Sequence, residues 1–513
     1  MDIYLNKEKI NYVKSVFNTS LAHEETMEMI VPDALPDILR ILDTDATVFL
    51  RSKSSDNGRV SVTGIATATV LYSPENESGV RKLVLEIPFT TAGADPEINA
   101  NSRITAAVKV AAADASMINP RKIIVRVEFL SDIACFNDAD LQIASGLDED
   151  NDAGIELMTD NTEIVATTGV KEKTFVISDE LSIPGANPPI GEILKSRIQL
   201  TPEDTKVVGS KLILKGTANA SLLYNAADSN EASKADFNTE FSQIVELDNP
   251  GGDNSFNIIL MPTNAYFDAE PTAHNPDGRT VIMEVHAVAQ CIAQEKKKIA
   301  YISDLYSTKY KLEQETSDNI FETRDNSKVN AVFHGLLDTP EHVSRVISLN
   351  VHTGPATNTN QSGAMTLRCP ILVNAMYMTD ENQPMSVKRQ YDIETNADVG
   401  DNGRCIVNAS CGRDIIGVAA GNAIELRIPV EFSITQLAER QIRTLSGLSY
   451  DENAPIENVK SPSLTLYRTA RGDTLWKLAK KHQTTSKLIM NANSMEKEEG
   501  MAPGQLLIIP KKR

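Results

Sequence analysis

The stretch Val60–Tyr72, VSVTGIATATVLY, decides the reading of this chain. Val60, Val62, Gly64, Ala66, Ala68 and Val70 lead in steps of two to Tyr72, with mostly hydroxyl-bearing residues between them. A period of two is the signature of a strand with one apolar face. Two further stretches repeat it: Leu212–Tyr224, LILKGTANASLLY, and Met365–Tyr377, MTLRCPILVNAMY. The three tyrosines lie 152 and 153 residues apart, which points to three copies of one unit.

Each of these strands runs into a polar or acidic loop, at Ser73–Ser78, Asn225–Ser233 and Thr379–Gln383. A second alternating strand follows in every copy: Ile123 to Phe129, Val281 to Val285, and Ile424 to Phe432. Such strands with polar turns predict antiparallel sandwich-like domains. Gly64, Ala66 and Ala68 would let an opposing layer come close. Pro370 interrupts the third copy and predicts an edge or a bulge there. Residues 1–27 read as a polar lead-in, strand or helix. Pro36 at a first helical position predicts a short helix over Ile38–Leu42, with a looser echo at Ile183-Pro184 and Pro189-Ile190. Ile302–Leu312 is apolar at a spacing that favours neither element. The expected division is 1–150, 151–298 and 299–444 for the three β-domains, 445–463 for a linker, and 464–513 for a terminal module.

That module reads in a different alphabet. Leu464–Thr469 alternates as a short strand, and Asp473 and Thr474 are placed to cap a helix carrying Leu475, Leu478 and Ala479. Thr484 and Thr485 break it before a second helix with Leu488, Ile489 and Ala492. Pro503-Gly504-Gln505 is a turn into a strand, Leu506–Ile509. The fold expected is mostly β: three tandem antiparallel β-sandwich-like domains plus a small strand–helix–helix–strand module.

At 513 residues the chain has room for three or four domains of about 150 residues. No apolar run approaches the roughly 20 residues of a membrane span, and the first residues show no secretory pattern. Five scattered cysteines, never as Cys-x-x-Cys, fit a reducing compartment. The net charge is −20, yet the ten Lys/Arg and four Asp/Glu from Leu464 onward give the module +6, leaving −26 on the rest. An acidic body argues against nucleic acid as its ligand. The basic tip either meets an anionic surface or is simply kept soluble by its lysines.

The terminal module resembles the LysM family of carbohydrate- and partner-binding modules. Tyr467, Gly472-Asp473-Thr474-Leu475-Trp476, Leu478-Ala479, the Thr484–Asn493 helix and Pro503-Gly504-Gln505…Ile509-Pro510 carry the likeness. The resemblance implies a ligand groove with Gly472, Asp473, Thr474 and Leu475 on one side and Asn493, Met501, Pro503, Gly504 and Gln505 on the other. Trp476 would stack on a sugar, anchor a protein, or pack its helix on the sheet. Lys477, Lys480, Lys481 and Lys487 stand opposite the acidic loop Met495–Met501, a dipolar face that suits a charged protein better than a neutral sugar.

Val31-Pro32-Asp33…Pro36-Asp37-Ile38-Leu39, the tandem β-repeats and this module together resemble the clostridial SipL-type (SpoVID-like) spore coat morphogenesis family, whose body repeats a domain of unknown function. That likeness implies a cytoplasmic mother-cell scaffold at the forespore surface. Its LysM domain would dock to the coat-basement ATPase (SpoIVA-like), with other coat and cortex assembly proteins as further partners. The alternative class is a peptidoglycan- or N-acetylglucosamine-binding wall protein; a wall hydrolase is the third.

No catalytic motif stands out. The seven histidines are dispersed, with no His-Glu-x-x-His and no Cys/His cluster for zinc. His286 reads as a strand residue. Gly185…Ser196 lacks the Gly before Lys195 that a phosphate loop needs, and no Gly-x-Ser-x-Gly elbow occurs. The acidic run 148–152 lacks an EF-hand's spaced Gly and distal Glu. No metal or cofactor is expected, and no enzymatic activity.

Overall fold

The fold is described from a computed structural model, which describes residues 1–148, 153–227, 229, 231–248, 254–269, 278–361, 364–398, 404–456, 463–495 and 501–511. The first unit holds β1 (Leu5–Ile30), β2 (Ile38–Asp56), β3 (Arg59–Pro74), β4 (Arg81–Ala94), β5 (Arg103–Asn119) and β6 (Lys122–Leu147). The second holds β7 (Ile155–Ser182), β8 (Ile190–Val208), β9 (Lys211–Ala226), β10 (Ala232–Glu246), β11 (Asn254–Asp268) and β12 (Thr280–Ser307). The third holds β13 (Tyr310–Asp338), β14 (Arg345–Thr353), β15 (Thr357–Gln361), β16 (Ala364–Met378), β17 (Pro384–Ala397), β18 (Arg404–Cys411), β19 (Ile416–Ala419) and β20 (Ala423–Pro455). A small head follows, β21 (Leu464–Arg468), α1 (Leu475–His482), α2 (Ser486–Ala492) and β22 (Leu506–Pro510).

Every unit is a pair of antiparallel sheets, β2-β3-β4 on β1-β6-β5 in the first and β8-β9-β10 on β7-β12-β11 in the second. In the third, β16 pairs with β14, β15 and β17, and β20 with β13, β18 and β19. The repeated strands are the central ones, β3, β9 and β16. Their apolar rows form one core with the inward rows of β6, β12 and β20. Tyr72, Tyr224 and Tyr377 are fully buried there.

The glycine of that row makes room within its own sheet. Gly64 pairs with Phe89 on β4, and a Cβ at Gly64 would overlap the Phe89 ring. That ring lies across the glycine and stacks on Phe129 of the facing sheet, centroids 4.7 Å apart. Gly216 and Phe241 repeat the arrangement. Pro370 sits opposite the gap between β14 and β15, where its missing N–H costs no ladder bond. Gly354 bridges that gap, its N–H donating to the Pro370 carbonyl at 2.8 Å.

Two expectations change, and one open choice closes. Ile38–Leu42 is not helical: Leu35 N–H closes a turn onto the Pro32 carbonyl, and Ile38 N–H then bonds the Pro120 carbonyl and begins β2. The Pro-Asp motif serves as a clamp, because the Arg121 guanidinium donates to the Leu35 and Val31 carbonyls and to Asp37 and Asp33 at 2.8–3.1 Å. The lead-in, read as strand or helix, is the 26-residue strand β1. Residues 445–455, read as tether, are the end of β20 and carry buried Leu445 and Leu448. Residues 457–462 lie outside the described set.

The units also close on one another. The antiparallel pairs β1/β6, β7/β12 and β13/β20 reach beyond the sandwiches as arms. Ile10 and Leu141, Ile164 and Ile299, and Ile442 share one cluster, so all three arms meet. A second shared cluster joins Leu42, Leu194 and Ile347, spaced 152 and 153 residues, with Leu71, Leu223 and Met376 at the same spacing. Unit three closes onto unit one, where the Met1 ammonium donates to the Tyr450 carbonyl at 2.6 Å.

Candidate functional site

The head's core is Leu475, Leu478, Ala479, Ile489, Leu507 and Ile509. Thr474 and Thr485 cap the two helices, accepting from the N–H groups of Lys477 and Leu488. The first loop of the expected groove is braced by Asp473, which accepts from Ala470 N–H at 2.7 Å and from the Tyr467 hydroxyl at 3.1 Å. Gly472 and Gly504 stand at φ +91° and +90°, in the left-handed region that favours glycine. Thr469 joins the two loops, a role not legible in the sequence. Its hydroxyl donates to the Ala502 carbonyl at 2.6 Å, and its carbonyl accepts from Gly504 N–H at 2.7 Å.

The proposed site residues therefore divide. Gly472, Thr474, Pro503, Gly504 and Gln505 are exposed at the loops, whereas Leu475 is core and Met501 packs against it. Asn493 is a staple, its amide bonded to the Ile489 and Ile508 carbonyls and its carbonyl to Ile508 N–H. Lys481 lies 5.3 Å from the centre of the Tyr467 ring, and Lys477 bonds the Gly472 carbonyl. Residues 496–500 of the acidic loop lie outside the described residues. On the outer face of the two-stranded sheet Leu464, Leu466, Leu506 and Ile508 are exposed.

Trp476 and Lys480 face the trunk. The indole N–H donates to Asp304 Oδ2 at 2.8 Å, and the Lys480 ammonium lies 2.5 Å from Asp304 Oδ1. Tyr306 meets the Trp476 ring edge-on, centroids 4.9 Å apart at 69°, and its hydroxyl donates to the Thr484 carbonyl at 2.7 Å. Burial pushes the Asp304 carboxyl up, but the bonds from Lys480 and Trp476 outweigh it and hold it below the usual range. Both residues come from the stretch of irregular spacing. A bulge between Ile302 and Asp304 turns Ile302 and Leu305 into the arms and aims Asp304 and Tyr306 at the head.

A second polar cluster lies where the units meet. Lys195 is 2.6 Å from Asp43 and 3.4 Å from Asp45, Asn350 and Asn374 also donate to Asp43, and His352 lies 3.3 Å from Asp45. The cavity beside it, ≈ 890 Å³, is lined by Lys109, Lys195, Arg197 and His352 among others. Among the described residues no group of three or more His, Cys, Asp or Glu is placed to hold a metal.

Two family descriptions match. "SipL, SPOCS domain" matches residues 37–118 and 189–268, and "LysM domain" matches residues 467–510. The two SPOCS matches begin 152 residues apart, the spacing of the tyrosines. Two SPOCS domains and a C-terminal LysM domain match a SipL-type architecture. No curated protein and no solved structure matches it. The SipL-type domains mark a sporulation protein, and SPOCS and LysM are both binding domains rather than catalytic ones. The third unit has the same central strand and tyrosine, though neither match extends to it. Among the described residues no helix is long and apolar enough to cross a membrane.

Proposed function

We propose that the chain is a non-enzymatic scaffold in spore envelope assembly, sited in the mother-cell cytoplasm at the forespore surface. Its trunk displays the LysM head, and the head docks a protein, the coat-basement ATPase of the SpoIVA type. One observation carries the choice of protein over sugar. The sole tryptophan, the residue best suited to stack on a glycan, is engaged by protein: a carboxylate and a tyrosine of the trunk. The charge division supports the same reading, since a +6 head suits an acidic partner.

A glycan reading keeps one supporting feature, the exposed Gly504-Gln505 turn with its open backbone. The test compares the full chain with one ending at Ile456. Retention of the ATPase by the full chain alone is the expected result. Sedimentation of the full chain with purified peptidoglycan at moderate salt, without retention of the ATPase, would reverse the ranking.

A further inference from the structure

We propose that Trp476, Lys480 and the Thr484 carbonyl form a docking surface, separate from the two-loop groove, for an extended segment bearing a carboxylate and, two residues later, an aromatic ring. The trunk's own Asp304-Leu305-Tyr306 fills it in cis, so a partner carrying the same pattern must displace it. The inference deepens the protein-docking reading above and rests on it.

The chemistry of the surface is specific. A carboxylate is the group that takes an indole N–H on one oxygen and an ammonium on the other, as Asp304 does at 2.8 and 2.5 Å. Two residues on, the tyrosine presents its ring to the Trp476 edge and its hydroxyl to a helix-end carbonyl. Side chains at i and i+2 of a strand share one face, so the surface reads a strand by alternate positions, while Leu305 stays with the arms. The segment makes these contacts through the side chains of Asp304 and Tyr306, which leaves a free peptide able to make the same set.

Closure in cis is favoured by proximity. Ile456 to Ser463 separate the end of β20 from the start of β21, so the head stays near the arm tips at a millimolar effective concentration. A cis occupant reduces apparent affinity for a competitor by the fraction of heads left open. Removing Asp304 should therefore tighten binding in trans by about tenfold.

Trp476 is the chain's only tryptophan and so reports the state of the surface. The full-length protein, Asp304→Ala and the double variant Asp304→Ala with Lys480→Glu are compared. Each is read by indole emission and by polarisation of a fluorescein-labelled peptide Ile-Ser-Asp-Leu-Tyr-Ser copied from 302–307. Asp304→Ala should move the emission to longer wavelength and bind the peptide about tenfold tighter than wild type. The double variant should lose the peptide, as should a peptide with its Asp or Tyr replaced by Ala. Equal emission in wild type and Asp304→Ala, or a peptide that binds neither, overturns the proposal. Peptidoglycan and ATPase retention by the same variants are read separately. Failure of the peptide alone therefore sinks this surface, and loss of ATPase retention by wild type sinks the scaffold reading.

Discussion

The three signature tyrosines look equivalent in sequence but should not respond alike to Phe substitution. Tyr72 donates its hydroxyl to the Pro36 carbonyl at 3.1 Å, and Tyr224 to the Pro188 carbonyl at 2.9 Å. Pro36 and Pro188 are 152 residues apart, and 153 further on stands Glu341, not proline. The Tyr377 hydroxyl is buried with no hydrogen-bond partner among the described residues. Tyr72→Phe and Tyr224→Phe each remove a bond worth about 0.5–1.5 kcal/mol and strand a carbonyl, so a loss of about 1–2 kcal/mol is expected. Tyr377→Phe removes only an unsatisfied hydroxyl from an apolar core, which should leave stability unchanged or raise it by about 1 kcal/mol. Urea unfolding of the full chain, followed by far-ultraviolet circular dichroism at constant m-value, measures all three. Equal losses at the three positions, or the largest loss at Tyr377, would refute the assignment.

Lys195→Met leaves Asp43 and Asp45 buried without their ammonium and should cost about 3–5 kcal/mol; adding Asp43→Asn should recover part of it in the same urea assay. Burial pushes the Asp45 carboxyl up, but Lys195, Arg197 and His352 more than offset this and hold it well below the usual range. Its stabilising contribution is therefore full above the unfolded value of about 3.9 and fades as pH falls through the lower folded value, so Asp45→Asn should destabilise at pH 7, and the difference from wild type should shrink steadily as pH falls below about 3.9. Gly216→Val places a Cβ 2.6 Å from the Phe241 ring and 2.7 Å from the Thr201 carbonyl and should cost about 1–3 kcal/mol, whereas a Cβ at Gly169 meets nothing within 4 Å among the described residues and Gly169→Ala should be close to neutral by thermal unfolding. Burial raises the thiols of Cys135 and Cys369 to about 11 and of Cys291 and Cys411 to about 12, so at pH 8 a disulfide reagent should react first with half-buried Cys405, more slowly with half-buried Cys411, and reach the three buried thiols only in denaturant.

Several of these positions were legible without coordinates. Alternation along Val60–Tyr72 and its two echoes identifies the buried face of each central strand, because a period of two sets which side chains share a side. The head's strand–helix–helix–strand order follows from capping threonines and turn glycines, which act over three or four residues. Local rules failed where a distant group decided. Ile38–Leu42 has helix-like punctuation, yet Arg121 and the Pro120 carbonyl hold it as strand. The spacing of Ile302–Leu312 was unreadable because a bulge breaks the period there.

The amino-acid order by itself determined the strand periods and the LysM head, which follow from neighbours a few residues apart, and the three-fold repetition and the division of charge, which follow from comparing stretches along the chain. Only the tertiary structure decided that Asp43 meets Lys195 and Asn374, and that Asp304 meets Trp476. A polar side chain on a strand's outward row looks the same in sequence whether water or another unit faces it. What faces it depends on how whole sheets pack, and no local pattern carries that information.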